Sequence, residues 1–200
     1  MRSRPLWSRL FACTLAAGTL LAVAAPAVAQ DTDERFNGGG PSYRTTYRSS
    51  PTASPIPKTT VDFGGSYGAG TIIINTTERR LYYVLGGGQA IRYGIGVGRD
   101  GFTWAGTTAV SAKKEWPDWT PPAEMIARRP GLPRHMKGGI DNPLGARAMY
   151  LGSSLYRIHG SNEPETIGQA VSSGCFRMTN EDVVDLYSRV NIGAKVVVLR

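Results

Sequence analysis

Two side chains in the C-terminal quarter of the 200-residue sequence have the types needed for acyl transfer, Cys175 and His159. The chain contains only two histidines and two cysteines, and the other cysteine, Cys13, lies in an apolar N-terminal stretch. An imidazole can accept the proton of a thiol and leave a thiolate, the form of cysteine that acts as a nucleophile. The pair predicts cysteine-based catalysis with His159 as the general base.

Residues 155–159 and 175–178 alternate between apolar and polar types, which is typical of strands that are buried on one face. The alternation predicts that one set of side chains faces a core: Tyr156, Ile158, Phe176 and Met178. The other set then shares an open face: Arg157, His159, Cys175 and Arg177. Of these, His159, Cys175 and Arg177 are expected to carry the chemistry.

Two glycines beside these side chains suit the same chemistry. Gly174 directly precedes Cys175 and lets main-chain N–H groups approach a developing oxyanion. Gly160 directly follows His159, and its carbonyl is expected to orient the imidazole.

Residues 1–29 have the organisation of a secretory signal peptide: basic residues at Arg2, Arg4 and Arg9, a short apolar run, and an A-x-A site. The apolar run is too short for a membrane span, so no transmembrane segment is expected in the mature chain. A lipoprotein signal at Cys13 is disfavoured because the apolar run continues beyond it. The prediction is an exported protein of the periplasm or cell wall.

Removal of this leader would leave Cys175 without an intramolecular disulfide partner. Exported proteins that use cysteine for stability tend to hold it in pairs, which favours a functional thiol here. The alternative, a small buried hydrophobic side chain, stays open.

The formal net charge of the chain is +8. Three arginines of the leader contribute to it, so the chain after the leader has a net charge of +5. The basic residues are scattered in pairs without interleaved aromatic residues, which argues against nucleic acid as a partner. An acidic extracytoplasmic polymer such as a cell wall fits this charge, although solvated surface charge explains most of the pairs.

Residues 30–66 are rich in Gly, Ser, Pro and Thr and predict a disordered linker, so the folded domain is expected over 67–200. Within it, half-buried strand patterns occur at 71–75, 80–85, 90–97 and 107–113, with a final strand at 195–199. A single amphipathic helix is predicted over 180–190, with an apolar stripe formed by Val183, Val184, Tyr187 and Val190.

Residues 116–146 predict a long irregular insertion with a short helix at 123–128 after two prolines. Trp116 and Trp119 lie at its start, and long loops of this kind often carry function, so it is a candidate lid or substrate wall. His135 is interpreted as a loop residue. No metal is expected, because no ligand cluster with suitable spacing occurs.

The segment 96–101 matches the G-x-G-x-x-G dinucleotide fingerprint letter for letter. That fingerprint requires a following helix to hold a pyrophosphate, whereas residues 102–107 have a β-like pattern broken by glycine. These glycines are therefore expected to shape a turn.

The motif residues resemble the L,D-transpeptidase catalytic domain of bacterial cell-wall enzymes, the YkuD family. The resemblance covers about residues 70–200 and is most specific in 159–162, 167–168 and 172–178. It implies a mostly β, sandwich- or roll-like fold with one C-terminal amphipathic helix and a long active-site loop. No cofactor is implied.

The resemblance also implies two-step acyl transfer, in which Cys175 is acylated by a tetrapeptide stem of peptidoglycan with release of D-Ala. The acyl group would then pass to an amine of another stem peptide or of a protein to be anchored to the wall. The Gly160 carbonyl would orient the base, and the backbone around Ser173, Gly174 and Cys175 would form the oxyanion hole. Side chains would contact the substrate, at Ser161, Asn162, Ser172 and Arg177, or Arg177 would brace the site.

One position departs from the family pattern, because many members have histidine where this chain has Ser173. The departure puts rate and acceptor preference in question, whereas the base role stays with His159. Two alternatives stay open on sequence: a hydrolase of the L,D-carboxypeptidase type, which transfers the acyl group to water, and a wall-binding module without catalysis.

Overall fold

The computed structural model describes residues 53–200, and strands dominate this part of the chain. The strands are β1 (Thr59–Asp62), β2 (Ile72–Asn75), β3 (Arg80–Gly86), β4 (Gln89–Gly94), β5 (Val97–Gly98), β6 (Gly106–Glu115), β7 (Arg147–Leu151), β8 (Arg157–His159), β9 (Ala170–Ser172), β10 (Phe176–Arg177) and β11 (Lys195–Leu199). The helices are α1 (Ala123–Arg128), α2 (Asn180–Arg189) and a 3-10 turn at Pro164–Thr166. The prediction of a mostly β fold is confirmed.

Nine strands form one sheet in the order β1-β4-β3-β2-β11-β6-β7-β8-β10, and β5 pairs with β9. Most pairs are antiparallel, but β2 pairs with β11, β8 with β10 and β5 with β9 in parallel. After β4 the chain continues to Gly96, whose backbone exchanges two hydrogen bonds of 2.9 Å with Arg177 in β10. Since β4 and β10 lie near opposite ends of the nine-stranded order, these bonds bring the two ends of the sheet together.

The β2–β3 hairpin follows the sequence prediction, with Ile73 opposite Tyr82 across the pair. All three isoleucines of β2 are buried, because one face packs on the core and the other is covered as well. The third predicted strand, 90–97, ends earlier than expected. It stops at Gly94, where a Cβ would come within 2.6 Å of the Ile56 side chain, and the chain then bends into β5.

Helix α2 begins after Thr179, whose hydroxyl accepts a hydrogen bond from the Asp182 N–H at 3.2 Å. This side-chain cap satisfies one of the free N–H groups of the first turn. The predicted apolar stripe is partly wrong. Val183 is buried as expected, but Val184 is 39% exposed and Leu186 is fully buried in its place.

Strand β1 lies inside the segment 30–66 that was predicted as linker, so the ordered part of the chain begins before residue 67. Its sequence is polar, and the order comes from antiparallel pairing with β4 rather than from its own burial. Just before it, Ile56 packs against Gly94 and Gly168. The predicted signal peptide and the linker up to residue 52 lie outside the described residues.

No helix within residues 53–200 is both long enough and apolar enough to cross a membrane.

The insertion between β6 and β7 contains α1 at the predicted position, and its two arms meet where Trp119 and Met136 exchange backbone hydrogen bonds of 2.8 Å. Asn142 holds the base of this insertion. Its buried amide donates to the carbonyl oxygens of Pro117 at 3.1 Å and Lys137 at 3.0 Å, and its Oδ1 accepts from Leu144 N–H at 2.9 Å. The long loop is therefore an ordered element with its own polar anchor.

We expect Asn142→Ala to lower the free energy of unfolding by about 2–3 kcal/mol, because it leaves buried backbone groups without partners. The insertion should also be cleaved faster by protease. Chemical unfolding and limited proteolysis measure the two effects. The matched control is Asn191→Ala, an exposed position after α2. Equal losses in both variants would contradict an anchoring role for Asn142.

Candidate active site

Strands β8 and β10 lie side by side and parallel, with Ile158 opposite Phe176 and His159 opposite Arg177. Ile158, Phe176 and Met178 are buried in the core. Because side chains alternate along a strand, the opposite face of this pair carries the polar set: Arg157, His159, Cys175 and Arg177. The alternation predicted from sequence thus has the expected faces.

In this register Cys175 and His159 are diagonal neighbours. Strands about 4.8 Å apart and a rise of about 3.3 Å per residue give a Cα separation of roughly 8 Å for such a pair. An imidazole and a thiol that lean toward each other can span this distance. The register therefore places the backbone of these two residues about 8 Å apart, although sixteen residues of chain separate them.

His159 is buried, and its backbone carbonyl accepts a hydrogen bond of 2.8 Å from Met178 N–H in the segment after β10. Its Nδ1 lies 2.5 Å from the carbonyl oxygen of Gly160. A carbonyl oxygen can only accept, so Nδ1 carries the hydrogen and Nε2 keeps a lone pair when the ring is neutral. The carbonyl of Gly160 thus orients the ring as expected.

The pKa of His159 is lowered to about 3, chiefly by burial and also by the positive charges of Arg177 and Arg157, against the hydrogen bond to Gly160, which raises it. The imidazole is therefore neutral at physiological pH. A neutral imidazole with a free Nε2 is the form that can accept a proton.

Burial raises the pKa of the Cys175 thiol, and the positive charges of Arg157 and Arg177 oppose that rise. The sulfur lies 3.7 Å from the carbonyl oxygen of Leu155, to which the S–H group donates. The resting pair is a thiol beside a neutral imidazole. A base must therefore remove the proton during the reaction rather than before it.

The loop before the thiol is tightly packed. Gly174 has φ +105°, and a Cβ there would collide with the ring of Tyr156. The indole Nε1 of Trp104 donates to the carbonyl oxygen of Gly174 at 3.2 Å, and its ring stacks on Tyr156 with centroids 4.9 Å apart. Sequence analysis did not single out Trp104 or assign Tyr156 to this site, because only the packed structure shows that both rings meet the glycine.

Two predicted substrate-binding serines have buried hydroxyl groups that bond within the protein. Ser172 Oγ donates to the Cys175 carbonyl oxygen at 2.6 Å and accepts from Gly174 N–H at 3.1 Å. Ser161 Oγ accepts from the N–H of Glu163 at 2.9 Å. Ser161 is 3% exposed and Ser172 is 4% exposed. Their buried and bonded hydroxyl groups shape the loops rather than contact a substrate.

The remaining predicted contacts lie closer to solvent. Asn162 is exposed and donates from Nδ2 to the carbonyl oxygen of Asp141 at 3.0 Å, which joins the site to the insertion. Arg177 forms an ion pair of 2.8 Å with Glu163, an arrangement that braces the loop after β8. Ser173 is half-buried and adds no charge.

His135 lies in the insertion, with Nε2 3.6 Å from the Asp118 carboxylate, and takes no part in the face that carries Cys175. Residues 53–200 hold no group of three or more His, Cys, Asp or Glu side chains that could bind a metal ion.

The glycine-rich segment 96–101 is a turn only in part: Gly96 pairs with Arg177, residues 97–98 form β5, and the chain turns after Arg99, whose carbonyl oxygen accepts from Phe102 N–H at 2.9 Å. The segment packs under the thiol loop. A Cβ on Gly98 would come within 2.6 Å of the Phe102 carbonyl oxygen and 3.2 Å of the Gly174 Cα. The next regular element is β6, not a helix. The segment therefore lacks the helix N-terminus that a dinucleotide phosphate needs.

Residues 69–198 match the model of the L,D-transpeptidase catalytic domain family, YkuD. The chain is 44% identical over 134 residues to "Probable L,D-transpeptidase YbiS" of Escherichia coli strain K12, an alignment over 62% of this chain and 43% of the relative. The chain thus spans less than half the length of that curated relative.

Two solved structures share the fold. An L,D-transpeptidase from Mycobacterium smegmatis superposes with a TM-score of 0.53 at 17% identity, over 65% of this chain and 58% of the other. A Brucella melitensis protein named "Probable carnitine operon oxidoreductase caia" has a TM-score of 0.50 at 48% identity, over 74% of this chain and 96% of the other. The family match over most of the described residues carries the assignment: this chain belongs to the L,D-transpeptidase catalytic-domain family.

Proposed function

We propose that this protein is a peptidoglycan L,D-transpeptidase, a cysteine-dependent acyltransferase that uses Cys175 as nucleophile and His159 as base. One observation carries the proposal: Cys175 lies on the same strand face as an imidazole that is neutral and oriented by the Gly160 carbonyl. A shared face and a neutral imidazole are two of the conditions for activation of a nucleophile by a general base.

In the first step the sulfur of Cys175 attacks the carbonyl carbon of the third residue of a tetrapeptide stem. The S–H proton passes to Nε2 of His159 as the S–C bond forms. The bond to the terminal D-Ala nitrogen then breaks, and His159 returns the proton to that leaving amine. A thioester on Cys175 remains, with all atoms accounted for.

In the second step an amine attacks the thioester, and His159 takes the proton from the attacking nitrogen. The amine belongs to another stem peptide or to a protein that becomes anchored to the wall. The sulfur leaves and regains its proton from His159. The chain's own residues supply each proton transfer, and the proposal needs no cofactor.

The oxyanion of both tetrahedral intermediates needs N–H donors beside the sulfur. One of the predicted donors is already engaged: the Gly174 N–H donates to Ser172 Oγ at 3.1 Å. Neither of the other two N–H groups, those of Ser173 and Cys175, takes part in a turn or loop hydrogen bond within the described chain. We assign the oxyanion role to these two.

We also propose that the insertion forms a wall of the substrate cleft. The Arg128 guanidinium at the end of α1 lies 5.4 Å from the ring centroid of Phe102, whose carbonyl oxygen packs against the Gly174 loop. Trp116 at the start of the insertion is 44% exposed. This supports the lid hypothesis for residues 116–146.

The function also implies a location and a partner. The substrate is the wall itself, so we propose that residues 1–29 direct export to the periplasm or cell wall. The positive charge of the remaining chain suits an anionic polymer. The oxidoreductase name of the Brucella protein is not carried over, because segment 96–101 has the wrong structure for a dinucleotide site.

The experiment incubates the full chain with purified tetrapeptide stems and follows the products by mass spectrometry. Transpeptidation predicts release of D-Ala and cross-linked dimers. Tripeptides without dimers would instead support the carboxypeptidase-type hydrolase. Absence of both products on intact wall fragments and isolated peptides would overturn the proposal.

A further inference from the structure

Arg157 is the residue of β8 that lies closest in register to the thiol. Ile158 is opposite Phe176, so Arg157 is opposite Cys175, on the same strand face. Its Nε is buried and has no hydrogen-bond partner. The guanidinium forms no ion pair with a carboxylate anywhere in residues 53–200, and it lies 5.1 Å from the ring centroid of Tyr150.

Two other half-buried arginines near the site are neutralised by carboxylates, whereas Arg92 in β4, far from the thiol, also has a buried Nε without a partner. Arg177 pairs with Glu163 at 2.8 Å, and Arg147 pairs with Glu115 at 3.1 Å. Burying a donor of a charged group without a partner costs free energy, commonly about 1–3 kcal/mol or more. Arg92 carries the same cost, but only Arg157 lies opposite Cys175 in the β8–β10 register, where a negative partner can arise during the reaction.

The partner that fits is an anion at Sγ. When His159 removes the proton of Cys175, the S–H bond breaks, the N–H bond forms at Nε2, and one negative charge appears on sulfur. We propose that the guanidinium of Arg157 stabilises this thiolate and is thus a catalytic residue of the site. The inference rests on the proposed function and deepens it, because it names the group that balances the sulfur charge.

The charged groups around the sulfur support this assignment. β8 contributes Arg157 and His159, and β10 contributes Arg177, whose charge is shared with Glu163. Among the causes that lower the pKa of the Cys175 thiol, the charge of Arg157 is the largest. Ser173, the residue before Gly174, is uncharged and supplies no second cation there.

A change of charge and a loosened structure have opposite effects on this thiol. Loss of a positive charge within about 4–6 Å raises the pKa of an anion-forming group by roughly one to three pH units. Loosening of the site reduces burial, and because burial raises the pKa of Cys175, loosening lowers it. The direction of change therefore separates a catalytic role from a structural one.

The test measures the rate of Cys175 alkylation by iodoacetamide against pH in Arg157→Gln, Arg157→Met and Arg157→Lys. In the Gln and Met variants, we expect the midpoint, the pH at which the alkylation rate is half-maximal, to rise by about one unit or more, so that alkylation at pH 7 is about tenfold slower. The Lys variant keeps the charge and should stay near the parent. Arg92→Gln, which also removes a buried unpaired Nε, is the matched control and should not shift.

An unchanged or lowered midpoint in both Arg157→Gln and Arg157→Met would overturn the inference. A rise of the same size in Arg157→Lys would also overturn it, since charge would then not be the cause. The methionine variant keeps an unbranched side chain over Tyr150, so the alkylation rate can still be measured without the charge if the glutamine variant is unstable. Alkylation needs no wall peptide, so this result stands apart from failure of the proposed transpeptidation.

Discussion

Cys175→Ala is expected to abolish turnover of tetrapeptide stems while the protein stays folded. Removing the nucleophile eliminates the thioester path altogether, and losses of roughly 10³- to 10⁶-fold are typical when a covalent nucleophile is deleted. The sulfur is half-buried and makes one weak hydrogen bond to the Leu155 carbonyl, so stability should change by less than about 1 kcal/mol. Release of D-Ala and thermal unfolding measure the two quantities.

Cys175→Ser is the matched control, because it keeps the shape and a hydrogen bond to Leu155 but replaces the thiol with a hydroxyl that ionises far less readily. It should be nearly as inactive as the alanine variant. The rival hypothesis of a wall-binding module predicts that both variants bind isolated wall as the parent does and that the parent itself releases no D-Ala. Retained turnover in Cys175→Ala would contradict the enzyme hypothesis directly.

The strand faces of the site were predictable because their pattern is local. Alternation over a few residues decides which side of a strand enters the core, and Ile158, Phe176 and Met178 are too apolar to face outward. Once those three are buried, the orientation of His159 and Cys175 follows. That His159 and Cys175 lie on neighbouring strands depends on one further fact, the parallel pairing of β8 and β10, which local alternation does not predict.

Contacts between residues that are far apart in the sequence could not be predicted from local alternation. The ion pair of Arg177 with Glu163 and the missing partner of Arg157 depend on which charges the folded chain brings together. Strand β1 has a polar sequence typical of a linker, and only the free edge of β4 orders it. The α2 stripe was misplaced for a similar reason: the sheet decides that Leu186 and not Val184 is the buried neighbour of Val183.

The folded loop changes which backbone N–H groups are available to an oxyanion. Sequence placed Gly174 among the backbone donors because a glycine beside the nucleophile permits close approach. In the folded loop the Ser172 hydroxyl accepts the Gly174 N–H, so this donor is engaged before any substrate arrives. Ser172 therefore acts on the geometry of Cys175 through the backbone, and the donors at the sulfur are the neighbouring N–H groups.

His159→Ala is expected to slow turnover by roughly 10²- to 10⁴-fold, the range for loss of a general base. The Cys175 thiol should still be alkylated, but more slowly at neutral pH, because its raised pKa leaves little thiolate without a neighbouring base. His159→Gln keeps most of the volume and a donor toward Gly160 without a base, so it should show the same loss. Equal alkylation rates in parent and variants would argue against an activating imidazole.

The same histidine should also make the fold sensitive to acid. Its pKa is about 3 in the folded protein and about 6.5 in an unfolded chain, so between these values the unfolded state binds the proton that the folded state excludes. The contribution of neutral His159 to the free energy of unfolding is therefore fully present above about pH 6.5 and is lost as the pH falls toward 3. The free energy of unfolding should therefore decline less between pH 7 and pH 4.5 in His159→Gln than in the parent. A parallel decline in the two proteins would mean that the imidazole takes up its proton in the folded state at ordinary pH, and the neutral base proposed for acylation would be wrong.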